Sequence, residues 1–166
     1  MKKTIKIALY VAFGIYCLAL INFFFINGRH YTENSVAYFF SRSNLIPFKT
    51  VVDYQQKMAR NQINASTAIR NILGNLVVLF PLGCFLPCLW KPMQRFRYTI
   101  LTSFGVVLLV ELLQPTLCRG AFDIDDFILN LSGACLGFWI VHIPFVTRLL
   151  KRFFVYETGD VNKAAE

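Results

Sequence analysis

Residues 103–114 read SFGVVLLVELLQ, a stretch apolar enough to lie in hydrocarbon that nevertheless carries Glu111. A carboxylate at membrane depth costs several kcal/mol unless it is paired, neutralised or hydrated, so it marks a functional site by default. Gln114 follows three residues later on the same helical face. Working outward, Asn71/Asn75 and Asp126/Asn130 form i,i+4 pairs on two other apolar segments. Packing those three helices together is expected to make one polar pocket inside an apolar protein.

The composition bounds the class. Of 166 residues, 56% are hydrophobic and only 16% charged, with 17 Phe, which fits a polytopic membrane protein and not a soluble domain. One bundle uses the whole length, so residues 1–166 are read as a single domain. A net charge of +8 would suggest nucleic acid in a soluble chain. Here the basic residues sit at the ends of apolar runs, which is a topology signal, and no nucleic-acid partner is expected.

Four runs reach the roughly 20 residues needed to cross a bilayer: residues 7–26, 71–90, 98–117 and 127–146. The expected fold is therefore all-α, a four-transmembrane-helix bundle. Lys2, Lys3 and Lys6 precede the first run, Lys91, Arg95 and Arg97 crowd the short second connection, and Arg148, Lys151 and Arg152 follow the fourth. All three clusters fall on one side, so both termini are expected in the cytoplasm. The connection 27–70 carries Arg29, Arg42, Lys49, Lys57, Arg60 and Arg70 but is far longer, so the bias holds per residue. A cleaved signal peptide is the alternative for residues 7–26. Against it, the apolar run is too long for a signal core and ends in NFFFIN with no small-x-small site.

The outer connection looks only partly solvent-like. Tyr38, Phe39 and Phe40 precede NLIPF at residues 44–48, where Pro47 imposes an extended or turned backbone on Ile46. Such aromatics suit the headgroup level. Residues 50–63 are expected to form an interfacial helix lying on the surface, with Val51, Tyr54, Met58 and Gln62 along one side. Asn64-Ala65-Ser66 matches a glycosylation acceptor, a pattern too short to carry a function.

Cysteine and histidine carry no chemistry of their own here. Cys17, Cys84, Cys88 and Cys135 lie within the spans as small apolar residues, Cys118 stands alone in an outer loop, and no disulfide or zinc spacing occurs. His30 and His142 have no ligand-like neighbours. Pro81 and Pro87 are expected to kink the second span, Gly74 and Gly83 to allow close approach, and Gly133 and Gly137 to form a small-xxx-small packing step. The fourth span opens at Asp123-Ile124-Asp125-Asp126, where acidic side chains cap free amides and face the positive end of the helix dipole.

Counting helical rise places Asn75, Glu111 and Asn130 within ~10 Å of the outer interface. Bridging between helices accounts for the asparagines at on the order of 0.6 kcal/mol each. Glu111 is harder to explain that way, because a neutral residue would bridge at lower cost. Arg70 and Arg119, at outer helix ends, are its candidate ion-pair partners. The open alternative is a divalent cation held by Glu111, Asp123 and Asp126, since hard oxygen ligands suit calcium or magnesium. No metal or other cofactor is expected on the main reading.

In order along the chain, Arg70-Asn71-Ile72-Leu73-Gly74-Asn75, then Phe80-Pro81-Leu82-Gly83, Glu111-Leu112-Leu113-Gln114, Arg119, and Asp123 through Asn130 with Gly133 and Gly137 resemble the VanZ-like family. With the 44–48 element, the resemblance covers residues 44–141. It implies a small integral protein of the bacterial cell membrane, in a family associated with resistance to teicoplanin-type glycopeptide antibiotics, and it assigns no reaction. Its recurring polar positions match Asn71, Asn75, Glu111, Gln114, Arg119, Asp126 and Asn130. The expected site is therefore Arg70, Asn71, Asn75, Glu111, Gln114, Arg119, Asp123, Asp126 and Asn130.

The leading functional expectation is an outward-facing pocket that binds membrane lipid, a lipid-linked cell-wall precursor or a lipoglycopeptide antibiotic. An enzyme acting on a lipid headgroup, with Glu111 or Asp126 as general base, is the alternative; no Ser/His pair or His-rich metal motif accompanies it. A small transporter is a third reading, for which four helices are few and the inner halves of the spans offer no matching ionisable group.

Overall fold

The computed structural model describes residues 2–26, 43–117 and 121–153. The aromatic run 38–40, His30, Cys118 and Arg119 lie outside them. The chain forms α1 (Lys2–Ile21), prolonged by a π-helical turn (Asn22–Ile26), then α2 (Lys49–Ala59), α3 (Ala65–Val78), α4 (Phe80–Leu89), a 3-10 turn (Lys91–Gln94), α5 (Phe96–Thr116), α6 (Ile124–His142) and α7 (Pro144–Phe153). Among the described residues, four helical stretches are long and apolar enough to cross a membrane: Thr4–Ile26, Ala65–Leu89, Phe96–Thr116 and Ile124–His142. The all-α, four-span bundle expected from hydropathy is what the chain adopts.

The second span starts at Ala65 and breaks at Leu79. Pro81 has no amide to give to Val77, so the helical ladder cannot run through. A neighbour repairs the damage. The Tyr16 hydroxyl of α1 donates to the Val78 carbonyl at 2.9 Å, and the Leu82 amide lies against the same hydroxyl. Membrane helices tolerate proline where such a partner re-satisfies the freed groups.

Helix α6 is the centre of the bundle, packing on α3, α4 and α5, while α1 lies against α4. The small-xxx-small step fixes that arrangement. A Cβ added at Gly133 would run into the Leu76 carbonyl, and one at Gly137 into the Phe80 carbonyl. From the other side, a Cβ on Gly83 would strike the Ala134 carbonyl. Gly74, also expected at a close approach, faces open space instead. Between α1 and α4 the contact is aromatic, with Phe13 edge-on to Trp90 at 5.4 Å and to Phe85 at 5.6 Å.

The buried core is thin: Leu79, Leu82, Leu86, Val107, Phe127 and Ala134. Large apolar side chains point outward instead, among them Val11, Ile15, Leu18, Leu101 and Leu109. In water that surface would be an aggregation liability; against lipid tails it carries no penalty. The fourth span ends at His142, short of the expected residue 146, because the chain turns at Pro144 into α7. Thr147 Oγ1 covers the Val141 carbonyl there at 2.9 Å. Helix α7, not expected from the sequence, sets exposed Phe145 and Leu149 among Arg148 and Lys151.

Candidate functional site

The polar residues converge where the start of α6 meets the end of α5 and the middle of α3. Asp123 is the N-cap of α6, its side chain accepting the Asp125 amide at 2.9 Å, as acidic residues do before a run of free amides. Its own amide donates to Glu111 Oε2 at 3.2 Å. Glu111 is only 2% exposed, so α5 holds a carboxylate inside the bundle against the first turn of α6. There the helix dipole favours negative charge.

One turn into α6, Asp126 accepts a hydrogen bond from Asn75 Nδ2 of α3. Asn130, a further turn on, donates its Nδ2 to the Asp126 carbonyl at 2.9 Å. Its Oδ1 is buried with no hydrogen-bond partner among the described residues. The helical face that Asn130 occupies follows from its neighbours on α6. Asp126 above it faces Asn75, and Gly133 below it abuts Leu76 and Phe80. Asn130 therefore lies in the seam between α3 and α6, beneath the Asn75–Asp126 contact.

Asp123 and Asp125 do a second job that their reading as helix caps did not include. The Asp125 carboxylate, 3% exposed, accepts the Phe48 amide at 2.5 Å and the Thr50 amide at 2.8 Å. Those are free donors at the start of α2, so α6 caps α2 across 75 residues of sequence. Asp123 adds the Thr50 hydroxyl at 2.5 Å and Asn44 Nδ2 at 3.1 Å. Asn44 completes the join with a short parallel bridge, its amide donating to the Phe122 carbonyl and its carbonyl accepting the Ile124 amide. Its Oδ1 also accepts the Ile46 amide at 3.2 Å, an Asx turn that leads the chain into Pro47.

This latch holds α2 beside the acidic residues. Val51, Tyr54 and Met58 are half-buried along its inner face, as the weak stripe suggested, while Gln62 is exposed. Burial, then the negative charge of Asp126 and Asp123, push the Tyr54 hydroxyl above its usual range. Leu45, Ile46 and Phe48 remain exposed.

Of the expected site residues, Asn75, Glu111, Asp123, Asp126 and Asn130 are brought together. Gln114 is half-buried one turn beyond Glu111. Arg70 and Asn71 lie on the exposed side of α3, turned back onto their own helix. Arg70 Nε bonds the Ser66 carbonyl at 3.1 Å, and Asn71 Nδ2 the Thr67 carbonyl at 2.9 Å. The divalent-cation alternative has no geometric support: among the described residues no group of three His, Cys, Asp or Glu is disposed to hold a metal. Asp123, one of its intended ligands, is already engaged by Asn44, Thr50 and the Asp125 amide.

Asp125, Thr50, Asn44 and Tyr54 escaped the sequence reading as site residues. The available signal was the Asx-x-x-Pro start of the 44–48 element, which predicts a turn but not what the turn docks on. No curated protein and no solved structure matches the chain. The VanZ/LLP1 family does match, over residues 9–147, a range that takes in three of the spans completely, all but the start of the first, the latch and the acidic cluster. A four-span bundle with its polar residues gathered at one end of α6 is thus the form this sequence gives to that family, and the chain belongs to the VanZ/LLP1 family.

Proposed function

We propose that this protein is a non-enzymatic binding protein of the bacterial cell envelope. Its acidic, amide-lined site would face outward and take the headgroup of a lipid-linked precursor or an amphiphilic antibiotic directly from the bilayer, lowering susceptibility to glycopeptides. The observation that carries this reading is the placement of Glu111, buried near the end of a membrane-spanning helix beside Asp123 and Asp126. A carboxylate held there at a cost in desolvation needs a return that packing does not supply. Arg70 on the exposed side of α3 offers a guanidinium group for a phosphate or carboxylate; Arg119, expected from the sequence to offer a second, lies outside the described residues.

The test is binding of native membrane lipids, a lipid-linked cell-wall precursor and teicoplanin to the purified protein, against Glu111→Ala and Arg119→Ala. Loss of binding in both variants is expected. Unchanged binding of every ligand in both would overturn the proposal. A lipid product that disappears in Glu111→Gln would instead make the site an enzyme, and Glu111-dependent flux in proteoliposomes would make it a transporter.

A further inference from the structure

Among the described residues, the end of the bundle away from the acidic cluster carries charge of one sign. His142 Nε2, at the end of α6, lies 3.2 Å from the Gln94 carbonyl, so the turn between α4 and α5 stands level with the end of the fourth span. Exposed Lys91, Arg95 and Arg97 flank that turn. Lys6, also exposed, comes one helical turn before Tyr10, whose hydroxyl donates to the Leu89 carbonyl at 3.4 Å. The acids of the described residues are Asp53, Glu111, Asp123, Asp125 and Asp126, all at the end where the latch joins α2 to α6; Glu157, Asp160 and Glu166 lie outside the described residues. Exposed Trp90, Tyr98 and Trp139 accompany the bases, as aromatic side chains do at a headgroup layer.

Helix α7 starts at this level. Ile143, with ψ 130°, is the single residue between α6 and α7, so α7 cannot stand off from the surface where the span ends. At 3.6 residues per turn, Phe145, Val146, Leu149 and Leu150 take one side of α7 and Thr147, Arg148 and Lys151 the other. The protein covers only part of the apolar side: Val146 and Leu150 are half-buried, while Phe145 is 70% and Leu149 46% exposed. Arg148 gives Nε to the Pro144 carbonyl at 3.2 Å, and the other N–H groups of that guanidinium suit phosphate oxygens.

We propose that α7 is a membrane-surface helix that binds acidic phospholipids, with Phe145 and Leu149 entering the acyl boundary and Arg148 and Lys151 meeting the phosphates. A helix apolar on one side and basic on the other binds in this way, through buried apolar area and attraction to anionic lipid together. Alone, so short a helix would hold weakly. Joined to a span by one residue, it is already delivered to the surface, and a weak affinity suffices. A zwitterionic surface would cover the apolar side and leave the positive charge unanswered; an acidic surface answers both. A second copy of the chain would bring the same positive charge to this end and be repelled, and an acidic protein would have to displace lipid from the level at which Phe145 stands.

Hydrogen exchange is followed on the full-length protein in nanodiscs of phosphatidylcholine alone and of phosphatidylcholine and phosphatidylglycerol in equal parts. Amides of Thr147 to Lys151 are expected to exchange roughly 25-fold more slowly in the mixed lipid, about fivefold for each of the two basic residues near the surface. High salt should erase that difference. Arg148→Gln with Lys151→Gln should remove most of it, and Phe145→Ser with Leu149→Ser should speed exchange of α7 in both lipids. If either double variant fails to elute as a single species, the salt dependence of the unsubstituted protein carries the test. Equal exchange of α7 in the two lipids overturns the inference, as does a difference that survives both the charge substitutions and high salt, or one spread evenly over the whole bundle. A dimer in mild detergent that Phe145→Ser with Leu149→Ser dissociates would give the apolar side to a second copy and overturn the lipid.

Discussion

Replacing Asp125 tests whether the latch holds α2 over the site. Its carboxylate accepts two backbone amides, from Phe48 and Thr50, in a setting that is 97% buried by the 3% exposure of the residue. A hydrogen bond to a charged group contributes roughly 1.5–3 kcal/mol, so Asp125→Ala removes about 3–6 kcal/mol from docking of the 44–59 segment. At the lower end, the opened population of α2 rises more than about 100-fold. Asp125→Asn keeps the volume but can accept through one oxygen only, and its NH2 would face an amide donor, so an intermediate effect is expected. Hydrogen exchange in nanodiscs reads this directly. Amides of Thr50 to Ala59 should lose protection in the order Ala, Asn, unsubstituted protein, while those of α4 and the second half of α6 stay as they were. Equal exchange across α2 in all three proteins would refute the latch. A uniform rise throughout the bundle would show that Asp125 supports α6 and not α2.

The remaining predictions concern packing and topology. Gly133→Ala and Gly137→Ala each drive a methyl group into a facing carbonyl, so each should destabilise the bundle by roughly 1–3 kcal/mol in thermal unfolding; Gly74→Ala, facing open space, should leave the midpoint unchanged or raise it slightly. Tyr16→Phe strips the hydroxyl from the break at Leu79 and exposes the Val78 carbonyl without a partner. It should cost about 1–3 kcal/mol, measured the same way, and a neutral result would mean the helix re-forms its own bond there. A single cysteine at Gln62 should react with a membrane-impermeant maleimide on intact cells, and one at Arg97 only after permeabilisation. The reverse pattern would invert the orientation and move the acidic site to the cytoplasmic face.

What the sequence determined by itself is whatever depends on local pattern. Apolar runs of membrane length set the four spans, the spacing of Gly133 and Gly137 announced a close crossing, and acidic residues before an apolar run marked the start of α6. Even Glu111 was legible, because its oddity lies in its own surroundings. Tertiary structure decided the rest. Nothing near Asp125 in sequence tells it apart from its neighbours as the receptor for Phe48 and Thr50, which lie 77 and 75 residues earlier. Asn71 and Asn75 share a periodic pattern, yet only Asn75 turns inward to Asp126, while Asn71 bonds its own helix. Hydropathy and helical period report which side of a helix is apolar. They carry no information on which neighbour it meets or at what height, and that is set by backbone approach, here through Gly83, Gly133 and Gly137. The break at Leu79 could be anticipated from Pro81, but the Tyr16 hydroxyl that mends it comes from 62 residues away, at a distance in sequence where only the packed bundle determines the partner.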